Sequence, residues 1–153
     1  MLNVVVKATG TNDAIVKFKA LDLSMRNFTA PMTAIGKSLT EYFSNDVYAS
    51  QGGVLGSAWP TLSLATTKYK AKNFPQYDTT PLIRTGLMKK SYTYNVTPNS
   101  VVISNTAPYF KYHQSTQPRT KIPYRPSMGI NDPVKLIITT IIKADIEAKM
   151  EAA

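Results

Sequence analysis

The stretch Tyr92-Thr-Tyr-Asn-Val-Thr-Pro-Asn-Ser-Val-Val-Ile-Ser-Asn105 reads as two short strands about a tight turn. β-Branched and aromatic residues fill 92–97 and 101–105, and Thr97-Pro98-Asn99-Ser100 breaks them. A hairpin pairs locally and antiparallel, so this segment places an antiparallel sheet in the middle of the chain.

C-terminal to it, residues 106–130 hold Pro108, Pro118, Pro123 and Pro126 and predict a long loop. Asp132-Pro133 then supplies a cap and a first-turn proline. Val134, Ile137, Ile138, Ile141 and Ile142 fall on one arc of the helix that follows. Asp145 lies in the same arc, so either the buried face drifts or the carboxylate meets a basic partner.

N-terminal to the hairpin, Thr85 is placed to cap a helical turn over 86–92, and Ser63 to cap a helix through Lys72. Residues 73–81, with Pro75 and Pro81, read as irregular, and 50–60 as a glycine-rich loop ending in Trp59. Ile35, Leu39, Tyr42 and Phe43 predict a helix from about Pro31 to about Tyr48. Ile15, Phe18, Leu21 and Met25 predict another, capped by Asn12 or Asp13, and residues 2–9 read as a strand. The order predicts an α+β fold: a small antiparallel sheet of N-terminal strand plus central hairpin, packed with N-terminal helices and a C-terminal amphipathic helix. One domain over 1–153 is expected, with flexible loops near 50–60 and 106–130.

Of the 153 residues, 43% are hydrophobic, which excludes a disordered chain. The longest apolar runs, near 4–6 and 136–138, are far too short for a bilayer span, and no secretory leader pattern opens the chain. A soluble protein made inside the cell, with no membrane partner, is the expectation. The absence of cysteine removes disulfides and thiolate chemistry. Net charge is +9, and all of that excess lies in 68–125, where ten Lys/Arg face Asp78 alone. Lys68, Lys70, Lys72, Arg84, Lys89, Lys90, Lys111, Arg119 and Lys121 are the candidates for facing DNA or an acidic partner. Tyrosines interleave with them, which suits base stacking or an oligomer interface equally.

Catalytic patterns do not emerge. His113 is the single histidine, so a multi-histidine metal site is impossible. No phosphate loop, nucleophile elbow or close acidic pair is present, so no enzyme activity and no cofactor are expected. A hydrolase built on His113 is a distant alternative, and a stand-alone basic nucleic-acid-binding protein a nearer one.

Four motifs follow one another at moderate spacing. Trp59 and Leu62 precede Thr66 and Lys70; Leu82, Thr85, Gly86 and Leu87 precede Ser91; Tyr109 precedes His113-Gln114; and Ile122-Pro123-Tyr124-Arg125-Pro126 leads to the last helix. This order resembles the phage virion morphogenesis family, the tail-completion or head–tail joining (neck) proteins of Mu-like phages. That family's pattern runs W-x-x-L then T and K, L-x-x-T-G-x-L-x-x-S, Y-x-x-x-H-Q with a following glycine, and I-P-x-R. Here Ser115 stands after the His-Gln pair, where the family has glycine.

The resemblance implies a structural protein of the virion neck or upper tail, assembled in the host cytoplasm. It further implies a homo-oligomeric ring, commonly hexameric, meeting connector, adaptor, tail-tube or terminator proteins, with DNA passing through the lumen. On this reading the basic block faces that lumen or an acidic partner ring. His113, Gln114 and Arg125 hold their loop together or meet a neighbouring subunit, and Pro123 and Pro126 stiffen the chain around Arg125.

Overall fold

A computed structural model of the chain describes residues 11–77, 79–116 and 122–152. The strand expected over 2–9 lies outside these residues. The fold is α+β: seven α-helices, one short 3-10 turn (Gly53–Leu55) in the glycine loop, and one antiparallel hairpin among the described residues. The helices are α1 (Thr11–Ser24), α2 (Thr29–Ser44), α3 (Asp46–Ala49), α4 (Leu64–Asn73), α5 (Leu87–Lys90), α6 (Phe110–Gln114) and α7 (Asp132–Ala152). The hairpin is β1 (Tyr92–Thr97) with β2 (Ser100–Asn105), paired from Tyr92↔Asn105 to Thr97↔Ser100.

Helix α2 is the centre of the molecule. Ile35, Leu39, Tyr42 and Phe43 recur at helical spacing and are all buried. Fully burying one such side chain stabilises by roughly 1.5–3 kcal/mol. One side of α2 packs on the hairpin, where Gly36 lies so close to the Tyr94 ring that a Cβ at position 36 would overlap it. Another side packs on α7 through Val134 and Ile138. Phe43 meets Tyr92 at 6.0 Å between ring centroids, and Tyr92 meets Phe110 edge-on at 6.1 Å, so the core continues into α6.

Local expectations change at several points. The second helix starts at Thr29, which makes Pro31 its third residue; proline fits there because the first four N–H groups of a helix have no internal partner. The same helix stops at Ser44, and the chain turns into α3. The 106–130 segment is not one continuous loop, since α6 sits inside it. Asp132 is the first residue of α7 and not its cap. The Asn131 carboxamide oxygen accepts from Val134 N–H at 3.0 Å and does the capping. Both residue types cap well, and the proline following Asp132 did not fix which one would.

Asp145 meets a basic partner: Lys149 Nζ lies 2.6 Å from its carboxylate. Lys149 also donates to the Asn27 carbonyl at 2.9 Å and stands 4.1 Å from the centre of the Phe28 ring. The end of α7 is thereby clasped to the α1–α2 junction. Helix α1 covers the predicted stretch, but Asn12 and Asp13, expected to cap it, lie inside it, and Ile15, Val16, Phe18 and Leu23 on it are exposed.

Candidate functional site

The motif residues gather around one arm of chain, 122–131, and one cleft beside it. Trp59 anchors the arm. Its ring is buried edge-on against Tyr48 at 5.2 Å, and Nε1–H donates to the Pro126 carbonyl at 2.6 Å. The glycine loop makes room for it. Gly52 has φ +84°, and a Cβ there would overlap the indole. A left-handed backbone against an aromatic ring is a position only glycine fills without strain.

Gln114 reads the arm's backbone twice. Its Nε2 donates to the Met128 carbonyl at 2.9 Å, and its Oε1 accepts from Ser127 N–H at 2.8 Å. Ser127 is fully buried, and the Tyr92 hydroxyl lies 2.8 Å from both its carbonyl oxygen and its Oγ. The Asn131 amide donates to the Tyr42 hydroxyl at 3.0 Å and to the Val54 carbonyl. Arg125 N–H donates to the His113 carbonyl at 3.2 Å. The Arg125 side chain donates from Nε to Pro60 O at 2.8 Å and from Nη2 to Thr61 O at 2.9 Å. Burial lowers its guanidinium pKa from the ordinary value. Pro126 takes part through its carbonyl, while Pro123 is exposed two residues before Arg125. Ser115 adopts ordinary extended backbone, φ −75° and ψ 132°, which needs no glycine.

The cleft, about 590 Å³, is lined by Leu62, Thr66 and Lys70 from the α4 region and by Leu82, Thr85 and Leu87 from the second motif. Tyr109 and His113 line it from the α6 region, and Arg125 from the arm. Residues up to 63 positions apart in sequence thus share one surface. Ser63 makes the local geometry possible by capping α4, its Oγ accepting from Thr66 N–H at 3.2 Å. Thr85 Oγ1 accepts from Leu87 N–H at 3.4 Å, Gly86 turns the chain at φ +74°, and Ser91 Oγ donates to Leu87 O at 2.6 Å.

Two assignments shift. Lys70, placed among the DNA- or partner-facing cations, is buried, and its ammonium donates to the Thr80 carbonyl at 2.7 Å. A long aliphatic stem lets a lysine pass through the fold and satisfy a carbonyl on the far side. Leu87 is 48% exposed at the cleft, whereas Met88 is 1% exposed in the core. Met88 was not picked out from the sequence. The spacing T-G-x-L points to it, since one residue, Leu87, separates Gly86 from the residue that fills the leucine position. Lys68, Lys72, Arg84, Lys90 and Lys111 are exposed and Lys89 half-buried, while Arg119 and Lys121 lie outside the described residues.

Tyr48 and Tyr92 meet at the base of the arm. Burial foremost raises both phenol pKa values; that of Tyr92 is pushed up to about 12, and that of Tyr48 rises further with the neighbouring Tyr92 phenol adding to the effect. An ordinary phenol titrates near pH 10. The folded values lie above the unfolded ones, so this stability is intact below about pH 10 and is lost as pH climbs toward the folded values. The urea midpoint, followed by Trp59 fluorescence, is expected to hold from about pH 7 to 9 and to fall by about pH 11, less so in Tyr48→Phe. A midpoint unchanged at pH 11 contradicts the assignment.

No curated protein and no solved structure matches the chain. A model of the phage virion morphogenesis family matches residues 11–147, which takes in α1, the Trp59 loop, the cleft, the arm and most of α7. With that span covered, the chain belongs to the phage virion morphogenesis family, and its role is a structural one in building the virion.

Proposed function

We propose that this protein closes into a hexameric ring at the neck or upper tail of the virion, where it joins the head connector to the tail and lets DNA pass. The observation that carries this reading is the state of its exposed surface. Lys68, Lys72, Lys89, Lys90 and Lys111 have no ion-pair partner among the described residues. The same chain exposes Phe18 and Leu23 on α1, Ile130 just before α7, and Leu136 in its first turns. Unneutralised lysines suit a DNA-lined lumen, and apolar patches suit contacts between subunits. Family membership supports the virion setting. Subunits that repeat one heterologous contact close into a ring when the rotation closes.

Native mass spectrometry and electron microscopy of the purified protein, alone and with its connector and tail proteins, test the reading. A closed ring, found at the neck or tail in images of the particle, is the expected result. Persistent monomers in every mixture contradict it. The lysines also favour a second reading, a free nucleic-acid-binding protein. Monomers whose duplex affinity falls about 10³-fold or more between 50 and 200 mM salt would select that reading. Position in the particle separates a tail terminator from a neck adaptor.

A further inference from the structure

Arg125 has more hydrogen-bonding capacity than the fold consumes. The residue is 6% exposed, yet it lines the cleft. A guanidinium offers five N–H donors in a fixed plane. Two of them reach Pro60 O and Thr61 O, and among the described residues the other three meet no acceptor. None of the ion pairs among the described residues includes Arg125. A buried cation with no counter-charge among the described residues carries a desolvation cost that an arriving anion offsets.

The rest of the lining says which anion. Lys70 and Arg84 also line the cleft, and among the described residues no carboxylate does. Leu62, Leu82, Ile83, Leu87 and Met88 make much of the wall apolar. A phosphate backbone gains nothing from such a wall, and DNA has the exposed lysines available elsewhere. A carboxylate carried beside a large apolar side chain satisfies both halves at once, and the volume of about 590 Å³ lies in the range of ligand pockets.

We propose that this cleft docks an extended segment of another protein chain in which an aspartate or glutamate neighbours a Leu, Ile, Phe or Met side chain. The carboxylate meets the free edge of the Arg125 guanidinium, a bidentate geometry that suits arginine better than lysine. The apolar neighbour enters between Leu62, Leu82 and Leu87. The inference concerns the cleft alone and holds whether or not the subunits close into a ring.

The test uses the full-length protein and an array of acetylated, amidated hexapeptides. Each has a central aspartate flanked by every pairing of Leu, Ile, Phe and Met, and a twin array carries asparagine instead. A subset of the aspartate peptides is expected to bind, with the asparagine twins about tenfold weaker, the order expected for losing a hydrogen bond to a charged group. Arg125→Gln should erase that difference. Because Arg125 also holds Pro60 and Thr61, Leu87→Asp serves as an independent variant: it sets a like charge at the exposed edge of the cleft and should weaken binding about tenfold with an unchanged melting temperature. Equal retention of the two arrays, or no retention on either, overturns the proposal. So does undiminished binding to Leu87→Asp, or displacement of bound peptide by a duplex oligonucleotide, which would put phosphate at Arg125. Subunit number, read separately by mass, tells failure of the ring from failure of the cleft.

Discussion

Trp59→Ala should lower the unfolding free energy by about 3–5 kcal/mol, the range for emptying a buried aromatic site. The indole fills a hole that the surrounding backbone cannot close. Gly52 is held left-handed against one side of it, and the Tyr48 ring stands edge-on at 5.2 Å on another. The substitution also strips the Pro126 carbonyl of its donor, so the arm loses a tether as well as a packing anchor. Trp59→Phe separates the two parts. It keeps most of the packing and loses only the N–H, so about 1–2 kcal/mol should remain as the hydrogen-bond component. Urea denaturation followed by far-ultraviolet circular dichroism measures both. A loss under about 1 kcal/mol for Trp59→Ala would mean that the arm is not held from this side.

Asn131→Ala should cost about 2–4 kcal/mol. One side chain does three jobs: it caps α7 at Val134, donates to the Tyr42 hydroxyl, and donates to the Val54 carbonyl in the glycine loop. The cap alone is worth about 0.5–2 kcal/mol, and leaving a half-buried carbonyl without its donor about 1–3 kcal/mol. Asn131→Ser retains a cap acceptor and gives up the amide donors, so its loss should fall between wild type and alanine. The same denaturation experiment reads the series. Equal losses for serine and alanine would assign the whole effect to the two donated bonds and remove the cap from the account.

Local chemistry made the hairpin, α4 and α7 legible in the sequence. An alternating run and an apolar run about Pro98-Asn99, Ser63 ahead of a helical run, and an isoleucine stripe each announce one element through neighbours a few residues apart. Burial was harder to read. Helix α1 has an apolar spacing like that of α2, yet Phe18 is exposed while Ile35 is buried, because periodicity reports a face and not what covers it. Leu62, Thr66, Lys70, Leu82, Thr85, Leu87, Tyr109, His113 and Arg125 of the cleft were named from the resemblance, but Met88 was not, and the assembly of the cleft was not legible. Arg125 meets Pro60 and Thr61 across 64 or more residues, and no local pattern encodes a pairing that distant. Lys70 shows the same gap. A lysine in a basic run looks solvated until the fold puts the Thr80 carbonyl in front of it.

The clasp at Lys149 bears on how the chain acquires its shape. Its bond to the Asn27 carbonyl joins residues 122 positions apart. A contact of that separation closes a long loop, and such contacts slow the search for the native state. The α1–α2 junction therefore gains this tether only after α7 has folded back onto it, so the contact is set by the packing of α7 on the rest of the fold.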